Sequence, residues 1–134
     1  MAKSASVKEY MTKIVVRLST DMDVLEALHL LLEKDVPGGP VLDRIGNLVG
    51  VLSEKDCLGA ALSATYHEDW GGRVADFMHG EVETVQAEAN IADVAILFTE
   101  RPFAHFPVVH DNRLVGLISR RNVLRALEHL RLEA

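Results

Sequence analysis

Two nine-residue stretches constrain the fold of this chain more than anything else in it. They are Leu48-Val49-Gly50-Val51-Leu52-Ser53-Glu54-Lys55-Asp56 and Leu114-Val115-Gly116-Leu117-Ile118-Ser119-Arg120-Arg121-Asn122. Each reads as a short apolar strand running straight into a helix, with a serine where the first helical N–H groups lack intrahelical partners. The likeness extends well upstream. Met78 follows Met11 by 67 residues, and Ile91, Val94, Ala95 and Phe98 follow Val24, Ala27, Leu28 and Leu31 by the same interval, as Pro107-Val108-Val109 follows Pro40-Val41-Leu42. From Gly50 and Gly116 onward, through Ser53 and Ser119, the interval is 66. The copies therefore differ by one residue in a hairpin turn, where such changes are tolerated. A chain of 134 residues built this way is one compact domain or two halves sharing a core, since either half alone would be marginal.

Within the first copy, Val7-Lys8-Glu9-Tyr10-Met11 reads as one helical turn and the β-branched Ile14-Val15-Val16-Arg17-Leu18 as a strand. Thr20 and Asp21 are cap candidates for a helix carrying Val24, Ala27, Leu28 and Leu31 on one face. Pro37-Gly38-Gly39-Pro40 stops that helix. Val41-Leu42 starts a second strand, Asp43 to Asn47 turns it, Leu48 to Leu52 returns antiparallel, and Ser53 begins a closing helix through Leu58, Ala61 and Leu62. Ser63 to Arg73 reads as a polar linker between the copies, with Trp70 packing at the seam.

The strand-to-helix junctions admit two readings. Unpaired amides and the positive end of the helix dipole suit a phosphate, and two such junctions point to a binder of phosphorylated small molecules. Ser-x-x-Asp is equally a capping box, stabilising a helix by ~1 kcal/mol. Capping leaves one feature unexplained: Gly50 and Gly116 stand three residues ahead of each serine, and a glycine inside a strand often marks a close backbone approach.

Composition narrows the rest. With 49% apolar and 25% charged residues the chain is that of a folded, water-soluble protein, and its net charge of −6 argues against general binding to nucleic acid or anionic membranes. No apolar run approaches a membrane span, and Met1-Ala-Lys-Ser-Ala-Ser opens no signal sequence. The single cysteine, Cys57, fits a buried apolar role in a reducing compartment, so the cytoplasm is the expected address. Histidines at 29, 67, 79, 105, 110 and 129 form no metal motif; His67-Glu68-Asp69 is an acidic triplet within the linker that could touch a metal but reads better as a solvated loop. Arg113, Arg120, Arg121, Arg125 and Arg131 lack the aromatic interleaving of a nucleic-acid surface. Arg120 and Arg121 oppose the dipole of the helix they open, which suits an anionic ligand or a solvated pair. No P-loop, dinucleotide fingerprint or nucleophile elbow occurs, and no enzymatic activity or cofactor is expected.

Gly-h-h-Ser-x-x-Asp after a hairpin, behind a Gly-x-Pro-Val strand and a β–α opening, twice over, resembles a tandem cystathionine beta-synthase (CBS) domain pair from about Val7 to about Leu130. The resemblance implies an α+β fold of two β-α-β-β-α repeats, here 1–68 (core about 7–62, with linker) and 69–134 (core about 74–130), packed with pseudo-two-fold symmetry. It further implies a regulatory module binding AMP, ADP, ATP, NAD or S-adenosylmethionine in clefts between repeats, a homodimer, and an unidentified protein target. On those terms Asp56 holds the ribose hydroxyls, as an acceptor-only carboxylate suits a vicinal diol, and Ser53 faces phosphate. Val82 and Thr84 from the second opening strand and Phe103, Ala104, His105, Phe106 and Pro107 complete that site, with His105 free to meet phosphate. A second, weaker site comprises Ser119, Asn122, Val16, Val36, Gly38, Gly39 and Pro40; there an uncharged amide replaces the acid. The remaining reading is a dimeric interaction module without useful ligand affinity, its surface formed by alanine- and leucine-rich helix faces near 58–62 and 124–132.

Overall fold

The computed structural model describes residues 4–13, 16–67 and 71–133. They form two compact units, one of residues 15–82 and one that joins 1–14 to 83–134. Each unit holds a three-stranded sheet with helices, a mixed α and β architecture.

In the unit of residues 15–82, β1 (Leu18–Ser19) runs parallel to β2 (Gly38–Leu42), and β3 (Leu48–Ser53) returns antiparallel to β2. Between β1 and β2 the chain forms α2 (Val24–Glu33); after β3 it forms α3 (Glu54–His67) and then the single turn α4 (Val74–Phe77). Asp23 caps α2, its Oδ1 accepting from Leu25 N at 2.8 Å and Glu26 N at 3.4 Å. The expected caps Thr20 and Asp21 lie ahead of the helix, where the Asp21 carboxylate instead pairs with Arg44 at 2.9 Å and Arg73 at 3.5 Å. Val24, Ala27 and Leu31 are buried as their spacing predicts, against Leu18, Val41, Leu52, Cys57, Ala60 and Val74.

Three boundaries differ from the sequence reading. Pro37-Gly38-Gly39-Pro40 is not wholly a break, because β2 already begins at Gly38. Pro40 sits mid-strand without loss, since β1 pairs only with Val41 and Leu42 and asks for no N–H donor from position 40. Strand β1 begins at Leu18; Ile14 and Val15 lie outside the described residues. The expected linker is helical as far as His67, because Ala60 and Ala64 continue the buried face of α3. Glu68, Asp69 and Trp70 lie outside the described residues, as does the side chain of His67.

The other unit repeats this plan with α1 (Val7–Tyr10), β4 (Val85–Gln86), α5 (Ile91–Glu100), β5 (His105–His110), β6 (Arg113–Ser119) and α6 (Arg120–Glu133). Strand β4 is parallel to β5, and β6 is antiparallel to it. Val82 and Thr84 stand just ahead of β4 rather than in a strand, because pairing with β5 starts at Val85. The one-residue difference between copies falls in the hairpins. Asp43 gathers the longer turn, its Oδ1 accepting from Ile45 N and Asn47 N; in the shorter turn Asp111 and Asn112 both take positive φ, as tight hairpins require.

Each single-turn helix pairs with the sheet of the unit it belongs to. Thr12 and Leu117 exchange backbone hydrogen bonds of 2.8 and 3.0 Å, and His79 and Val51 exchange bonds of 2.9 and 3.0 Å. This is what the two strand glycines permit. A Cβ on Gly50 would stand 2.7 Å from the His79 carbonyl oxygen and the Met78 sulfur, and one on Gly116 would stand 2.7 Å from the Thr12 carbonyl oxygen. The close approach is made by the protein's own chain.

Candidate functional site

The end of β3 and the start of α3 bring Ser53 and Asp56 together in a complete capping box. Asp56 Oδ2 accepts from Ser53 N at 2.8 Å and from Ser53 Oγ at 2.9 Å, and Asp56 N donates to Ser53 Oγ at 3.2 Å. The next amide is also engaged, Glu54 N donating to Pro37 O at 2.9 Å. The helix tip is thus less bare than an anion site requires: two of its first amides already have partners. The other carboxylate oxygen is different. Asp56 is 9% exposed, and its Oδ1 faces the imidazole Nε2 of His79 at 3.2 Å, on a side chain 59% exposed. A nearly buried carboxylate with one oxygen held by the backbone and the other behind a displaceable side chain can accept hydroxyl donors without losing its helix cap.

At the β6–α6 junction the same scaffold carries different chemistry. Asn122 Oδ1 accepts from Ser119 N at 2.9 Å, and Asn122 N donates to Ser119 Oγ at 3.1 Å. The position answering to His79 is Thr12, so acid and imidazole are both replaced here. Arg120 uses its guanidinium to hold the preceding loop, Nη2 donating to Phe103 O at 3.0 Å while its amide reaches Ala104 O at 3.4 Å.

Within each unit the segment before the central strand lies against that unit's own junction. Gly38 is the register partner of Ser53, and His105 that of Ser119. The Val16 carbonyl oxygen approaches Gly39 so closely that a Cβ there would stand 3.0 Å from it; Val36 is half-buried, and Gly38, Gly39 and Pro40 are buried. Val82 belongs to the same unit as Asp56, whereas Thr84 and residues 103–107 belong to the other unit. Thr84, Phe103 and Ala104 are exposed. Phe106 is fully buried against Phe98, ring centroids 4.7 Å apart, and Pro107 is buried beside it in β5. The Phe106 ring is thus taken up by core packing.

His105 is half-buried, and its Nδ1 is shielded from solvent with no hydrogen-bond partner among the described residues. Burial holds its pKa below the ordinary 6.5. At neutral pH the ring is uncharged and keeps one N–H donor and one acceptor nitrogen. Cys57 is buried, and desolvation, followed by the charges of Asp56 and Glu54, raises its pKa, so the thiol is a packing group. Sequence reasoning passed over His79, which has no spacing relation to Asp56; the one available signal was its place beside Met78 in the repeat.

Among the described residues no cluster of three or more His, Cys, Asp or Glu side chains is poised for a metal, and no helix is long and apolar enough to cross a membrane.

Comparison with known proteins agrees with this geometry. The family model described as CBS domain matches residues 7–63 and again 74–129. The chloroplastic CBS domain-containing protein CBSX2 of Arabidopsis thaliana is 33% identical over 145 residues, covering 89% of this chain and 60% of the relative. An uncharacterized protein of Methanocaldococcus jannaschii is 35% identical over 126 residues, covering 92% of this chain and 44% of the relative. The chain thus spans about half the length of these curated relatives. A crystal structure of CBSX2 in complex with AMP superposes with a TM-score of 0.81 at 34% identity, over 94% of this chain and 98% of that one. Two matched copies, two like sheets and two like junctions place this chain in the CBS domain family, as a tandem pair of repeats.

Proposed function

We propose that the chain is a non-catalytic regulatory module that binds an adenosine-containing ligand of the AMP, ADP, ATP, NAD or S-adenosylmethionine class and signals to a protein partner by a change of conformation. The observation that carries this reading is Asp56, a nearly buried carboxylate with Oδ2 committed to the helix cap and Oδ1 open to exchange. The chain's likeness, at 34% identity, to a relative whose structure holds AMP adds support. Asp56 takes the ribose hydroxyls, Ser53 lies on the phosphate side, and Val82, Thr84 and residues 103–107 are retained as ligand contacts, with His105 meeting phosphate through the N–H of its neutral ring. Asn122, with Ser119, Val16, Val36, Gly38, Gly39 and Pro40, forms the weaker site. Repeats 1–68 and 69–134, with the cytoplasm as the address, belong to the same reading.

A second reading has its own support. Leu58 and Leu62 on α3, and Leu124, Leu127 and Leu132 on α6, are exposed, while Ala60, Ala64 and Ala126 of the same helices are buried. Apolar helix faces of this kind suit a homodimer, with or without ligand. A thermal-shift series with adenosine compounds separates the two. Ligand at about 100 times its dissociation constant is expected to add roughly 2.7 kcal/mol of stability, a rise of several degrees. A melting temperature unmoved by every compound favours the dimeric interaction module.

A further inference from the structure

The two junctions differ in a correlated way. Where the acid Asp56 stands, an imidazole faces it; where Asn122 replaces the acid, Thr12 replaces the imidazole. Both scaffolds keep the same serine cap and the same backbone ladder, Val51 with His79 and Leu117 with Thr12. The imidazole is thus not needed to build the junction.

A carboxylate offers about four lone-pair positions. Ser53 N and Ser53 Oγ occupy Oδ2, which leaves Oδ1 for the two O–H donors of a vicinal diol. His79 Nε2 stands 3.2 Å from that oxygen. A protonated imidazole there forms an ion pair and competes with the diol for Oδ1. A neutral one holds no charge against the carboxylate and can turn an unprotonated nitrogen toward a hydroxyl. The remaining charged groups around His79 do not take this role. In the first turn of α3, Glu54 and Lys55 are exposed and Asp56 is the partner. Strand β3 brings Val51, which is uncharged, and in α4 the Asp76 carboxylate accepts from Arg73 N.

We propose that His79 is a specificity-determining residue of the ribose subsite: it occupies the free oxygen of Asp56 and makes diol binding weaken as the imidazole gains a proton. The inference rests on the assignment of Asp56 to the ribose. It goes beyond that assignment by giving the site a pH dependence and a preference set by the number of sugar hydroxyls.

The test is calorimetric titration of the whole chain with adenosine and with 2′-deoxyadenosine, at about pH 5.5 and about pH 8, on either side of the histidine range. Nucleosides are used because a phosphate titrates in the same window. Adenosine is expected to bind roughly fivefold more weakly at the lower pH. 2′-Deoxyadenosine, with one fewer donor at this site, should depend less on pH. His79→Gln, on an exposed side chain whose backbone carries the ladder, should flatten the adenosine profile. A His79→Gln profile identical to the wild type, or tighter adenosine binding at the lower pH, overturns the inference. Asp56→Asn tells its failure from that of the ribose assignment. If Asp56→Asn binds adenosine like the wild type, both fall; if it loses adenosine while His79→Gln keeps the wild-type profile, only the role of His79 falls.

Discussion

At the β3–α3 junction one Asp56 oxygen serves the helix cap and the other does not, and that division is what makes the proposed ligand recognition compatible with capping. The Ser-x-x-Asp spacing made Ser53 and Asp56 legible in the sequence, including both the cap and the acid. His79 was not legible, because residues 56 and 79 meet only when the chain after α4 runs beside β3, and no periodicity links them. His105 was legible as a candidate but not as a neutral one, since its charge state follows from burial. Its folded pKa lies below the ordinary 6.5 of the unfolded chain. The unfolded state therefore binds more protons as pH falls, so the stability that the neutral ring contributes is full above that value and is lost as pH drops through the folded pKa. His105→Gln should accordingly reduce the loss of melting temperature between neutral and mildly acidic pH. An unchanged slope would show that the ring is solvated when folded.

Among the elements, the order of strands and helices and the antiparallel hairpins followed from apolar spacing and turn residues. The boundaries did not follow where tertiary pairing overrides local chemistry. Pro40 reads as a breaker, yet it fits β2 because its neighbour β1 is two residues long. The glycines carried more than the pattern revealed. Gly50 and Gly116 were flagged as sites of close approach, and what approaches is the carbonyl leaving each single-turn helix. Because that neighbour is backbone, held by paired hydrogen bonds, it cannot move aside cheaply. Gly50→Ala is expected to cost roughly 1–3 kcal/mol in denaturant unfolding, and Gly116→Ala a similar amount. Gly59→Ala, with open space around the new methyl in α3, should instead be neutral or stabilising.

For the whole molecule, duplication was plain in the sequence, but the membership of each opening helix was not. Residues 1–14 belong with 83–134 rather than with the rest of the first copy. Two like sheets offer like surfaces to either opening helix, so the amino-acid pattern is the same whichever one is used. The arrangement predicts where damage should fall. A chain beginning at residue 15 should lose hydrogen-exchange protection at the Leu117 amide, whose acceptor is Thr12 O, while the Val51 amide, bonded to His79 O, stays protected. The reverse pattern would place the opening helix on the wrong sheet. The central claim concerns one carboxylate, and calorimetry of Asp56→Asn against adenosine nucleotides tests it most directly. Asn122 shows that asparagine supports this junction, so the variant should fold. Loss of the charged acceptor is predicted to weaken binding roughly 10- to 100-fold, and an affinity equal to the wild type would contradict the account.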